Sequence, residues 1–164
     1  MMNMEEAQSG MVSYVDTIDY PGDDEQSIKT LRGWVRAFEA TGEAIYVGIY
    51  TVVRHDEVGY VSVGFPLPES NFTATLMPYN HRGDHLLLKT HNTAEDFTGH
   101  YVTFIDKDDG SLDILKLPLM DEEIDVFLDD AGHLKTDHKF FFGGFHFLTL
   151  HYSMERSAVE SVQP

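Results

Sequence analysis

The chain has 164 residues, enough for one domain with a buried core. Its 28 acidic residues against 11 basic ones give a net charge of −17. Such a charge repels nucleic acid and anionic membrane surfaces, because binding to either rests on Lys and Arg meeting phosphate. The absence of cysteine excludes disulfides, thiolate nucleophiles and Cys-ligated zinc or iron–sulfur sites.

Residues 1–10 are polar and acidic, without the basic and apolar regions of a signal peptide, and read as a disordered lead. No apolar run approaches the roughly 18 residues of a membrane-spanning helix, so the expected address is cytoplasmic. Val12 to Tyr20 alternates weakly as a first strand, and Pro21-Gly22 turns the chain. A helix is predicted next. Asp23 or Asp24 can cap it, Glu25 suits its first turn, and Ile28, Leu31, Val35 and Phe38 recur at three- and four-residue spacing up to Gly42.

From Ala44 onward the pattern is of strands and turns. Ala44–Val53 and Val58–Phe65 flank a short loop at Arg54 to Glu57. Phe72 to Met77, His85–Thr90, His100–Ile105, Leu112–Leu117 and Ile124 to Leu128 follow, and His133–Phe142 with Phe145–Glu155 forms a last hairpin around Gly143-Gly144. The predicted fold is mostly β: an antiparallel meander of about nine or ten strands, closed into a barrel or strongly curved, with one N-terminal helix. Residues 11–156 make the single domain and residues 157–164 a flexible tail.

Several groupings invite a chemical reading. His81, Asp84 and His85, with His91 beyond, are dense enough for a three-ligand metal site, but the surrounding Pro78 and Gly83 mark a loop of surface histidines. Asp106 to Asp113 has the composition of a calcium loop in the wrong register, with Gly110 in fifth place, and reads as a hairpin turn. Asp121-Glu122-Glu123 reads as a solvated face. No serine elbow, dinucleotide fingerprint or phosphate loop is present, and no metal or cofactor is expected. The segment from Phe140 to Tyr152 is apolar on both faces of a strand, fitting either a core strand or the wall of a ligand cavity.

The order of a helix, an aromatic-rich meander and a closing strand with Arg resembles the lipocalin-like (calycin) barrels. Gly33-Trp34 is similar to the family's Gly-x-Trp signature, although adjacent here, and Arg156 to its closing Arg. The resemblance implies an apolar ligand inside the barrel and Arg156 stacked on Trp34. Trp34, with Leu31 and Phe38, is expected to be buried on the helix, with Arg32 and Arg36 reaching solvent.

The leading functional expectation is non-enzymatic binding of a small apolar or aromatic molecule, with Tyr46, Tyr50, Tyr60, His146 and Tyr152 as lining residues. An alternative is a cavity enzyme using His/Tyr acid–base chemistry, with His146 or His138 as candidate catalytic base. A third is a homo-oligomeric interaction module. The expected partner is a small apolar molecule, with no nucleic acid and no membrane span, acting on a monomer or homodimer.

Overall fold

A computed structural model describes residues 10–18, 28–55, 57–90 and 97–156. The expected lead at 1–9, the caps Asp23, Asp24 and Glu25, the turn at Pro21-Gly22, His91 and the tail at 157–164 lie outside the described residues. Eleven strands run in chain order: β1 Met11–Thr17, β2 Ile28–Phe38, β3 Ala44–His55, β4 Val58–Leu67, β5 Ser70–His81 and β6 His85–Lys89. They continue as β7 Gly99–Ile105, β8 Leu112–Lys116, β9 Met120–Leu128, β10 Leu134–Phe142 and β11 Phe145–Met154.

All pairings are antiparallel, in the spatial order β1-β2-β3-β4-β5-β6-β9-β10-β11, with β7 on β5 and β8 on β7. The long strand β5 is shared. Its first half pairs with β7 and its second half with β6, while β8 follows β7 and β9 follows β6. The sheet therefore forks beside β5 and curls into a half-barrel, compatible with a calycin-like fold. Alternation puts Trp34, Arg36, Tyr46, Tyr50, Val63, Phe65, Phe72, Ala74 and Leu76 on the inner face of one wing. Glu122, Ile124, Thr136, His138, Phe140, Leu150 and Tyr152 occupy the inner face of the other.

The helix expected over 23–42 is not formed: residues 28–38 are a strand, and no helix occurs among the described residues. The reason lies in pairing. Strand β2 is matched residue for residue by β1 over 32–38 and by β3 over most of its length. The three- and four-residue spacing of Leu31, Val35 and Phe38 arises because apolar side chains sit on both faces of this strand. Arginines at 32 and 36 occupy inward phases and hide the two-residue alternation. Gly33 and Val35, poor in a helix, are unpenalised here. Trp34 is half-buried on the inner face, not the plug of a barrel end. The guanidinium over its ring belongs to Arg36, 4.5 Å from the centroid, in place of the expected Arg156, which is exposed.

The turns follow their chemistry. Asp106 accepts from the Asp108 amide at 2.7 Å while Gly110 adopts φ 73°, making the segment a hairpin turn. Gly143 and Gly144 both have positive φ, 57° and 80°, as a tight two-residue hairpin requires. Gly48 serves a different end. It lies directly beneath two rings, where an added Cβ would sit in ordinary contact, 3.5 Å from Trp34 and 3.4 Å from Phe65.

The tightest apolar packing lies at β4 and β5, where Val63, Ala74 and Leu76 are buried. Leu76 is 1% exposed. Leu76→Ala is expected to destabilise the fold by about 2–5 kcal/mol, as for a large-to-small core change. Leu112→Ala, at a position 61% exposed, should stay within about 0.5 kcal/mol. Urea unfolding of the two variants checks the contrast.

Candidate functional site

The inner face combines a ring-lined upper part with a buried polar floor. In the upper part, Trp34 packs edge-on against Tyr46, with centroids 4.7 Å apart, and tilts against Tyr50 at 5.0 Å. Tyr46 meets Phe65 at 5.7 Å, and Phe65 meets Phe72 at 6.2 Å. Arg36 sits among these rings, 5.3 Å from the centroids of both Tyr46 and Tyr152, so it joins β2 to β11 across the mouth of the half-barrel. Its Nε donates to Ser13 Oγ at 3.3 Å. Burial pushes the phenol of Tyr50 up to about 12 against the lowering effect of Arg36, and burial raises that of Tyr46 further. Both are neutral hydrogen-bonding groups at physiological pH. Around Arg36 and Tyr152, the seam between the β1–β2 edge and β11 opens a cleft of about 220 Å³, also lined by Met11 and Met154.

The floor is built on Glu122. This carboxylate is 5% exposed and stands where the sheet forks. His138 Nε2 lies 2.7 Å from one of its oxygens and His100 Nε2 lies 3.4 Å from the other. His100 is 2% exposed, and its Nδ1 donates to the Met120 carbonyl at 3.1 Å, which leaves Nε2 to face the acid. Thr90 holds the backbone beneath: its hydroxyl accepts from the Glu122 amide at 2.8 Å, and its amide donates to the Glu122 carbonyl at 3.0 Å. Burial alone would raise the Glu122 pKa, but the hydrogen bonds and charges of the two histidines bring it down to about 2. Burial likewise opposes a charge on His100, and the bond to Glu122 outweighs it, so the His100 pKa is raised. Glu122 and His100 thus form a buried pair in which each favours the charged form of the other.

Of the residues expected to line a site, Tyr46, Tyr50 and Tyr152 come together around Arg36 and Trp34. Tyr60 and His146 lie elsewhere. Tyr60 is buried on the outer face against Phe97, whose ring centroid is 5.2 Å away. His146 is exposed near the tip of the last hairpin, within 2.7 Å of Thr149 Oγ1. His138, the other candidate base, is on the floor. His81 and His85 face each other across the β5–β6 hairpin, and His85 pairs with Asp125 at 3.0 Å on the outer face. Among the described residues no group of three or more His, Asp or Glu side chains is disposed to hold a metal ion.

Glu122, His100 and Arg36 were not anticipated. The signal for Glu122 was present: Met120, Glu122, Ile124, Val126 and Leu128 share one phase, whereas Asp121, Glu123 and Asp125 occupy the other. An acid in phase with four apolar residues points inward. His100 stands likewise in phase with Val102 and Phe104.

The fold and site thus define an antiparallel β half-barrel with an aromatic inner face above a buried glutamate–histidine pair. The chain is similar to a protein of Bacillus subtilis (strain 168) named "Uncharacterized membrane protein YndJ", with 32% identity over 127 residues. The match covers 76% of this chain, which spans about a fifth (21%) of the length of that relative. No family model and no solved structure matches the chain, so a lipocalin assignment gains no support from either comparison. The membrane name of the relative overturns the cytoplasmic address expected above. That address rested on the absence of a signal-peptide pattern in residues 1–10 and of a long apolar run. No helix among the described residues is long and apolar enough to cross a membrane.

The two shifted groups give a signed pH dependence. Glu122, lowered from 4.5 to about 2, contributes stability that is fully present above pH 4.5 and is lost as pH falls toward 2. His100, raised from 6.5, contributes stability that is present below pH 6.5 and is lost as pH rises through its folded-state value. Glu122→Gln is expected to cost roughly 3–5 kcal/mol near neutral pH, since it strands the buried His100. The stability difference from the parent protein should shrink steadily below pH 4.5. Denaturant titrations of both proteins across the acid range check the size and the direction.

Proposed function

We propose that the inner face of the half-barrel binds a small apolar or aromatic molecule without transforming it. One observation carries this reading. Trp34, Tyr46, Tyr50, Phe65, Phe72 and Tyr152 all point inward, yet each remains partly exposed above the buried floor. Side chains that merely filled a closed barrel would cover one another. Large rings left accessible on a concave surface, with a few polar tips among them, are the usual lining of a small-molecule site. The lipocalin-like resemblance points the same way, now with Gly33-Trp34 on a strand. The relative's name adds a setting: we take this domain to work in association with a membrane, where apolar molecules are plentiful.

The neutral fluorescent probe N-phenyl-1-naphthylamine tests the binding. It should bind saturably near one equivalent and quench or shift the emission of Trp34, the single tryptophan of the chain. Phe65→Asp should abolish this response, while Ile114→Asp, on the exposed outer side, should leave it intact. A parent protein that gives no saturable response refutes the reading.

A second reading, proton-transfer catalysis, is favoured by the hydrogen bond between His138 and the buried Glu122. Glu122 itself is held far too acidic to act as a general base at neutral pH, so the proton would be carried by His138, with Glu122 fixing its ring. His138→Gln separates the two readings. Under the binding reading it leaves probe affinity within about twofold, a change of less than 0.5 kcal/mol. Under the catalytic reading it leaves binding intact but abolishes turnover of the bound molecule.

A further inference from the structure

We propose that the molecule bound by the inner face carries an anionic head, a carboxylate or a phosphate, and that Arg36 is the residue that receives it. The inference rests on the binding reading above and deepens it.

The argument starts from the charge balance. With 28 acids for 11 bases, carboxylates are the commonest charged neighbours a cation in this chain can find. Lys89 is paired with Glu123 at 2.6 Å, Lys135 with Asp129 at 3.6 Å, Arg54 with Glu57 at 3.9 Å, and Lys107 with Glu69. Arg36 differs. Among the described residues no carboxylate lies within ion-pair range of it, and its neighbours are three aromatic rings and one serine hydroxyl. A guanidinium carries five N–H donors in a planar fork. Ser13 takes one of them, and ring faces attract the cation without accepting the remaining edge donors.

The position matters as much as the missing partner. Arg36 is half-buried, lines the cleft at the seam, and stands beside the inner-face rings that would take an apolar body. A carboxylate or phosphate entering the cleft can accept two parallel N–H bonds from the fork, with the Tyr152 ring beside it. Its hydrocarbon part then lies along Trp34, Tyr46 and Phe65. The overall charge of −17 opposes any anion at long range, but ionic screening over about 8 Å at physiological salt confines that repulsion, and the site supplies its own cation. Glu122 does not cancel it, being already paired with His100 and His138. Lipid carboxylates and lipid phosphates share this chemistry; free acetate and inorganic phosphate share only the head.

The experiment follows Trp34 emission during titration with decanoate, decyl phosphate, 1-decanol, acetate and inorganic phosphate, each below its aggregation limit. Decanoate or decyl phosphate should bind saturably, with added salt weakening binding, while decanol is insensitive to salt and the two free anions are without effect. Arg36→Gln should weaken the anionic amphiphile by roughly tenfold or more and leave decanol unchanged, and Arg36→Lys should restore part of the loss. If Arg36→Gln proves poorly folded, the salt dependence of the parent protein and the Arg36→Lys variant decide. Decanol and decanoate binding alike, with no salt dependence and no effect of Arg36→Gln, overturns the anionic head and leaves the binding reading standing. Saturation by acetate or phosphate alone overturns the amphiphile and makes Arg36 a simple anion site. No binding of any amphiphile overturns both.

Discussion

A carboxylate with almost no access to water sits at the point where the sheet divides, and the architecture around it is arranged to keep it charged. An isolated buried carboxylate would be neutralised by protonation before the fold tolerated it. Glu122 avoids that fate because two histidines reach it from different strands, His100 on β7 and His138 on β10, while Thr90 fixes its backbone from the end of β6. Four strand segments that would otherwise be free to separate at the fork are thus tied to one residue. The pair contributes less to net stability than its geometry suggests, because desolvating two ions offsets most of their attraction. What it supplies is a defined branch point: a slipped register would leave an ion buried alone.

Above that floor the inner face changes character. Six rings and one arginine form a surface that is apolar in area but carries three phenols and a cation at its edges. Tyr46 and Tyr50 present hydroxyls that burial keeps protonated across the physiological range, so they offer donors and acceptors without adding negative charge. In so acidic a chain this is a local exception, produced by keeping the surplus carboxylates on the outer face and at the turns.

Much of the strand framework was legible in the sequence. Strands from Ala44 to Met154 follow from alternating apolar residues between Asp- and Gly-rich turns, because those turns are set by local chemistry. The stretch around Trp34 was not legible. Its arginines fall in the same strand phase as Trp34, so the alternation that marks a half-buried strand was masked and a coincidental helical spacing showed through. The site was half legible. Tyrosines at 46, 50 and 152 share the inner face because register puts the first two in phase with Trp34 and the third opposite Thr136, in phase with His138. Tyr60 took the outer face because it lies one residue out of phase with Val61 and Val63. His146 fell past the bulge between Phe140 and Phe141, where the partner strand loses its register. The pairing of Glu122 with His100 joins residues 22 positions apart on strands that are not direct hydrogen-bonded neighbours, a relation no local pattern encodes.

The incomplete ring of strands has a mechanical consequence. Backbone hydrogen bonds on both edges hold β4 and β5, whereas β1 and β11 end the strand order, each held along one edge only. Resistance to opening in a sheet scales with the bonds and buried contacts that must break together, so amide protons should exchange slowest at the middle of the sheet and fastest at β1, β11 and β8, which pairs with β7 alone. The cleft beside Arg36 is bounded by β1 and β11. The Arg36 guanidinium reaches across it, 4.5 Å from the Trp34 centroid and 5.3 Å from that of Tyr152, with no ladder of peptide groups across it among the described residues, and such a gap can widen or narrow by small side-chain movements while the centre of the sheet stays fixed.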